Sequence, residues 1–404
     1  MLLNFKCKTE ISSKNREEIK MKNIAAVICE YNPFHSGHKY QIDKIRERSG
    51  GATVICIMSG NITQRGEFAF LDKYARAKAA ILCGADAVFE MPFPYSTSCA
   101  EIFAAAGVEL SCKLGADTLY FGTEDKNIVE LEKIAECVID DTFEKRVKLK
   151  LKSCTSYIEA KDKVLQEDGF TIPTLPNDIL ALEYICAIKK NKHNMKYESI
   201  KRVGAGYKDE SVCDIMSATA IRKHFYKEDK ILSVPENAGE FYKELIFDGK
   251  VLDEKKEKEF LFRYALSQDP LSFDLSFDSG VGIGNLIHSV AVKSKTADDF
   301  LLSLASKSYT LSRLKRIIIY SLFGITTMDK LPKYTVLLSA NQKGREVAKK
   351  ANIPVVTKIT DAKKLDPVSQ KAFYKEMRTD ELYMSLLKEQ KVAYEAYIMA
   401  PFIK

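Results

Sequence analysis

The chain has 404 residues, 46% of them hydrophobic and 29% charged, with a net charge of +7. That is length for two domains, or for one large and one small, with sizeable cores. No apolar run approaches the about 20 residues that span a bilayer. None of the ten cysteines sits in a CxxC pair, so neither a disulfide framework nor a zinc site is expected, and the usage is that of a cytoplasmic protein.

Residues 1–20 are polar and charged beyond the first few positions and too poor in apolar length for a signal peptide. They are expected to be a disordered, dispensable extension ahead of Met21. The next stretch, Ile24 to Arg48, organises the chain. Ile24 to Cys29 is an apolar run of strand length, Glu30-Tyr31-Asn32-Pro33-Phe34 breaks it, and Ser36-Gly37 opens an amphipathic helix. His35 and His38 flank the helix start. A helix N-terminus offers unpaired N–H groups and a positive dipole end. Gly37 lets a phosphate approach the backbone, and two imidazoles can donate to charge building on phosphate oxygens. The expected ligand is a nucleotide phosphate.

Thr53 to Met58 reads as a second strand, giving a βαβ unit and hence a parallel sheet. The polar loop Ser59 to Glu67 follows it, with Arg65 as an anion ligand or a plain surface residue. Leu71 to Leu82 reads as a helix, Ala87 to Met91 as a strand, Cys99 to Leu114 as a helix and Thr118 to Phe121 as a short strand leading into Gly122. Gly-Ala-Asp recurs before both of these later strands. Charged helices fill Ile128 to Gln166. Asn177 or Asp178 reads as the cap of a helix over Ile179 to Lys190. Tyr197 to Val203 reads as a strand. Met216 to Arg222 begins a helix on which Ser217, Thr219 and Arg222 offer a second phosphate site.

Residues 227–255 look like a boundary. Beyond it, helices are expected over Glu257 to Ser267, Ile283 to Val292, Ala297 to Ser306 and Leu311 to Leu322, with an isolated strand over Tyr334 to Ser339. Residues 301–404 carry 19 Lys and Arg against 9 Asp and Glu. That excess points to a polyanion such as RNA, and Lys307, Arg313, Lys315 and Arg316 form its densest group on a predicted helix. The sequence shows no cluster of metal ligands.

His35-Ser36-Gly37-His38 after a strand resembles the HxGH signature of the nucleotidyltransferase superfamily. The longer strings EYNPFHSGHKYQI, SGNITQRGE, DKYARA, FGTED, PNDILALEY, KRVGAGY and SATAIR, in one order from Met21 almost to the C-terminus, resemble the tRNA(Met) cytidine acetate ligase family. The last string departs from the superfamily's second signature by placing Ala218 and Ala220 around Thr219, which costs one hydroxyl. The resemblance implies an α/β fold: a Rossmann-like nucleotidyltransferase domain with a parallel sheet over 21–230, then a mainly helical, basic tRNA-binding domain over 231–404. It implies ATP as substrate with Mg²⁺ on the pyrophosphate. It places ATP against Val27, Ile28, Cys29, Glu30, Tyr31, Asn32, Pro33, Phe34, His35, Ser36, Gly37, His38, Lys39 and Tyr40, then Gly122, Asn177 and Arg202, so Asn177 becomes a nucleotide ligand rather than a cap. His35, His38, Thr219 and Arg222 would be catalytic, with acetate activated as acetyl-adenylate and passed to the wobble cytidine of elongator methionine tRNA. Two other classes stay open: an enzyme adenylylating a small phosphorylated metabolite, and a non-catalytic RNA-binding protein that kept a nucleotide pocket.

Overall fold

The structure, a computed structural model, describes residues 23–202, 215–305, 309–398 and 400–404. The N-terminal extension, Val203 to Tyr207 and Lys307 lie outside the described residues.

The first half alternates strand and helix. It runs β1 (Ile24–Cys29), α1 (Ser36–Arg48), β2 (Thr53–Ser59), α2 (Lys73–Leu82), β3 (Ala87–Met91), α3 (Ala100–Lys113) and β4 (Thr118–Thr123). Helices α4 (Ile128–Ile139), α5 (Phe143–Leu151), α6 (Tyr157–Glu167) and α7 (Pro176–Lys190) lead to β5 (Lys196–Lys201) and α8 (Ala218–Glu228). All of β2 and β3 is buried, as befits parallel strands covered by helices on both faces. The expected helix start at Leu71 moves to Lys73 because the Asp72 carboxylate caps the N–H groups of Tyr74 and Ala75.

The recurring Gly-Ala-Asp now has a cause. Gly84 and Gly115 take left-handed backbone, φ 113° and 81°, and let the chain turn out of α2 and α3. The aspartate then clamps the sheet. Asp86 accepts from the Val54 N–H at 2.8 Å and Asp117 from the Ile24 N–H at 2.7 Å, so each fixes the start of a neighbouring strand.

The sheet order is β5-β4-β1-β2-β3, all parallel. The chain leaves β1 toward β2 on one side and returns to β4 on the other. The carboxyl ends of β1 and β4 therefore flank a topological switch point, where open α/β sheets bind ligands.

The second half is mainly helical, with α9 (Glu236–Phe247), α10 (Glu254–Ser267), α11 (Pro270–Asp274), α12 (Ile283–Lys293), α13 (Ala297–Leu304) and α14 (Leu311–Leu322). Helix α9 occupies the stretch that reads as a boundary, because its buried Ala238 and Tyr242 seat it against the first half. The chain then returns to the sheet through β6 (Thr335–Ala340), α15 (Gln342–Lys350), β7 (Val355–Val356), α16 (Pro367–Ser385), α17 (Glu395–Ile398) and β8 (Phe402–Ile403). The strand expected to be isolated is β6. It pairs antiparallel with β3 and takes β7 and β8 as parallel partners. Its six residues are all buried, which an isolated strand could not achieve. One apolar core runs from Phe34 and Met58 through Phe70 to Ile317, Ile318 and Phe373.

A charged cluster bridges the halves beneath β2 and β3. Lys73, fully buried, places Nζ 2.8 Å from Glu90, 2.7 Å from Asp380 and 3.9 Å from Glu376. Asn61 donates to Asp380 and Tyr334 to Glu376. Three carboxylates around one ammonium cannot all be ionised in a buried site. Burial and the neighbouring carboxylates raise Glu376 well above the usual range, and burial pushes Asp380 up to about 6.

Candidate active site at the carboxyl end of the sheet

Beyond the ends of β1 and β4 lies a cavity of about 680 Å³. It is bordered by the loop after β1, the loop after β2, the start of α7, the start of α8 and one face of α14.

The loop after β1 is held from all sides. Tyr31 takes left-handed backbone, φ 49°, rare for a bulky residue and costly unless its surroundings enforce it. Its ring packs edge-on to Phe34 at 4.9 Å and lies 4.7 Å from His38. Asn32 accepts from the Phe70 N–H at 2.7 Å, and Arg76, fully buried, donates to the carbonyls of Glu30 and Gly60 at 2.5 Å each. One guanidinium thus ties the ends of β1 and β2 together. No reading of the sequence flagged Arg76; a charged residue in the middle of an alanine-rich helix face was the available signal.

His35 is the N-cap of α1. Its Nδ1 accepts from the Gly37 N–H at 3.0 Å, and His38 Nδ1 accepts from the His35 N–H at 3.2 Å. The rings stack, centroids 3.7 Å apart. Because each Nδ1 is an acceptor, each neutral ring carries its proton on Nε2. Burial, then the Arg202 charge, lowers His35 to about 4, and burial, His35 and Arg202 hold His38 well below its ordinary value. Both are therefore neutral Nε2–H donors at pH 7. The unpaired N–H groups expected at this helix start are in fact occupied: Ser36 donates to the Ser233 carbonyl, Gly37 to His35, and His38 and Lys39 to the His35 carbonyl. What α1 offers is its dipole and its two imidazoles.

Among the described residues, open backbone donors are found instead at α8. Ser217 caps that helix through the Ala220 N–H, leaving the N–H groups of Ala218 and Thr219 ahead of the first intrahelical bond. Arg222 donates to the Asn32 carbonyl at 2.7 Å and lies 3.9 Å from Glu67, which pins α8 to the His35 loop.

The third wall comes from β4, β5 and α7. Glu124 accepts from Asn177 Nδ2 at 2.8 Å and from Arg202 at 3.4 Å, so it sets both predicted ligands. Glu124 was not singled out in the sequence. Asn177 does not cap α7; Leu175 occupies the cap position. Asp178 instead receives the N–H groups of Glu124, Asp125 and Lys126 and shapes that loop. A Cβ on Gly122 would meet Arg202 Cγ at 3.3 Å, so glycine gives the arginine room.

Of the predicted residues, Ile28, Cys29, Glu30, Tyr31, Asn32, His35, Gly37, His38, Tyr40, Gly122, Asn177, Arg202, Thr219 and Arg222 border this cavity. Val27, Pro33, Phe34, Ser36 and Lys39 do not. Strand alternation turns Val27 to the opposite face, among Ala25, Ile45 and Tyr120. Phe34 is in the core, the Ser36 backbone turns to Ser233, and Lys39 pairs with Asp43 at 2.6 Å on the outer face of α1.

The basic group on α14 also differs from expectation. Arg313 and Arg316 both reach Asp278, at 3.3 and 3.6 Å, and Lys315 pairs with Glu67 at 2.9 Å. Arg316 is only 8% exposed and borders the cavity together with Thr310, Ser312 and Arg65. The helix expected to lie apart from the nucleotide site is one of its walls, because the amphipathic α14 buries Ile317 to Tyr320 in the shared core.

Two helix N-termini, paired neutral imidazoles and several cationic side chains at a sheet switch point define a nucleotidyl transferase site. The chain matches the HIGH Nucleotidyl Transferase family over residues 21–397. It is 33% identical over 395 residues to the tRNA(Met) cytidine acetate ligase of Caldicellulosiruptor saccharolyticus, covering 94% of this chain and 96% of that one. It is 36% identical over 358 residues to the same-named protein of Thermosipho africanus, covering 83% and 84%. Its fold matches the crystal structure of Thermotoga maritima TmcAL bound with alpha-thio ATP, TM-score 0.84 and 28% identity over 94% of this chain and 99% of that one. The chain belongs to the tRNA(Met) cytidine acetate ligase family of HIGH nucleotidyl transferases.

Proposed function

We propose that the protein is a cytoplasmic, ATP-dependent acetate ligase that acetylates the wobble cytidine of elongator methionine tRNA to N4-acetylcytidine. The observation that carries the reading is the stacked His35–His38 pair sharing one cavity with the open start of α8, in a chain whose relatives bear this name over nearly their whole length.

The geometry supports adenylation as follows. The triphosphate lies between the starts of α1 and α8, where both dipoles favour negative charge. An acetate oxygen attacks the α-phosphorus in line with the departing pyrophosphate. The Nε2–H groups of His35 and His38 donate to the oxygens on which charge builds, with no ionisation change at neutral pH. Thr219, with its own N–H and that of Ala218, and Arg222 hold the leaving pyrophosphate. Asn177 and Arg202, set by Glu124, and the space over Gly122 receive the nucleoside. Mg²⁺ is proposed to arrive on the ATP phosphates. Among the described residues no group of three or more His, Cys, Asp or Glu could hold a metal.

The cationic residues of the cavity, Arg65, Lys201, Arg202, Arg222 and Arg316, suit an RNA backbone in the second half-reaction. The triphosphate and the anticodon loop would meet there, with Arg313, Lys315 and the rest of the basic C-terminal part extending the RNA-binding surface. Acetate-dependent exchange of pyrophosphate into ATP tests the first half-reaction. A panel of phosphorylated small acceptors in place of acetate separates this enzyme from a metabolite adenylyltransferase.

A further inference from the structure

Transfer of an acetyl group to the exocyclic amine of cytosine needs an acceptor for the amine's proton, and neither histidine suits it. Both donate through Nε2 and both resist protonation. Among the described residues three carboxylates border the cavity: Glu30, Glu67 and Glu124. Glu67 is engaged by Lys315 at 2.9 Å and Arg222 at 3.9 Å. Burial alone would raise it, but those cations and Arg65 hold it below the usual range. Glu124 is bonded through both oxygens to Asn177 and through one to Arg202. Glu30 is different. One of its oxygens accepts from the Gln64 N–H at 2.7 Å, and the other makes no hydrogen bond or ion pair among the described residues.

We propose that Glu30 is the general base of the acetyl transfer, which rests on the function proposed above. The cytosine N4 forms a bond to the acyl carbon while the bond from that carbon to the AMP oxygen breaks. AMP leaves with the electron pair, and the N4 proton passes to the free oxygen of Glu30 and then to solvent. Burial raises Glu30 above the usual carboxylate range, against the Gln64 N–H and the charges of Arg222, Arg65 and Arg76. Tyr184 on α7 is a further titratable group close to it and also borders the cavity. A carboxylate so raised is a better base than an ion-paired one.

The test uses the full-length protein, unmodified methionine tRNA and synthetic acetyl-adenylate, so that only the transfer step is read. Glu30→Gln keeps an oxygen to accept from Gln64 and removes the base. The expected result is a transfer rate lower by about 10²- to 10⁴-fold with KM for tRNA little changed. The wild-type rate should fall as pH drops through the Glu30 ionisation, and the variant's rate should not follow that profile. A Glu30→Gln enzyme with wild-type rate and profile would show that Glu30 only positions Gln64 and would overturn the proposal. Failure of the wild-type protein to acetylate tRNA from acetyl-adenylate would instead refute the underlying function.

Discussion

His35 and His38 stack with ring centroids 3.7 Å apart, and each turns Nδ1 to a backbone N–H of the same helical turn. The spacing of two histidines three apart at a helix start is thus a reciprocal cap as well as a pair of donors. One consequence is that structure and chemistry can be separated by substitution. His35→Asn keeps an N-cap acceptor and removes the imidazole donor. Acetate-dependent pyrophosphate exchange should fall on the order of a hundredfold or more, while thermal stability and tRNA affinity stay close to wild type. His35→Ala should lose the same activity and about 1 kcal/mol of stability besides. Exchange at wild-type rate in either variant would remove His35 from the reaction.

The depressed ionisation of His35 has a sign. In the unfolded chain a histidine titrates near about 6.5, and in the folded protein His35 titrates at about 4 because of burial and Arg202. Between those values the unfolded state binds a proton that the folded state refuses, so His35 favours folding fully above the upper value and less as pH falls toward the lower. Glu257, which burial raises to about 7, acts in the opposite direction. The informative quantity is therefore the difference between wild type and His35→Asn. Denaturant midpoints from about pH 7 down to about 4.5 should decline more steeply for wild type than for the variant; parallel declines would show that His35 is not buried neutral.

The Lys73 cluster gives a second pH prediction. Removing the cation by Lys73→Met leaves Glu90, Glu376 and Asp380 buried around an apolar chain, at a cost of about 3–5 kcal/mol. Without Lys73 the cluster must hold its protons, so stability is retained at low pH and lost as pH rises through the raised values of Glu376 and Asp380. The variant should be closer to wild type at about pH 5 than at about pH 8 in urea unfolding. An equal deficit at both would mean that the carboxylates remain ionised without the lysine.

Helix α14 predicts coupled losses. Arg316→Ala and Lys315→Ala together take the nearer cation from Glu67 and one of two arginines from Asp278, and open one wall of the cavity. Pyrophosphate exchange and tRNA affinity should both drop. The slope of log affinity against log salt should become shallower by roughly 0.7 to 0.9 for each phosphate no longer neutralised. Filter binding over a salt series, with exchange measured in parallel, checks this. Weaker tRNA binding with untouched exchange would place α14 outside the adenylation site.

Much of the first half was legible in the sequence. The strand-loop-helix opening, the Gly-Ala-Asp turns and the SATAIR helix start are local signals, set by apolar run length, glycine and capping chemistry, and they stand where expected. The strand over Tyr334 to Ser339 was legible as a strand but not as the antiparallel partner of β3, since pairing between segments so far apart in the chain leaves no local mark. Arg76 and Glu124 escaped for a related reason: each acts by holding groups that only the fold brings near. The positive charges of α14 were visible, but their partners, Glu67 and Asp278, come from distant segments, so their burial was not.

The central claim is acetylation of one base by ATP and acetate, and mass spectrometry of the methionine tRNA anticodon loop reads it directly. After incubation of the purified protein with unmodified tRNA, ATP and acetate, the wobble cytidine should gain one acetyl group, only when both small substrates are present and not with His38→Ala. An unmodified loop, with the protein folded and both substrates present, would contradict the account.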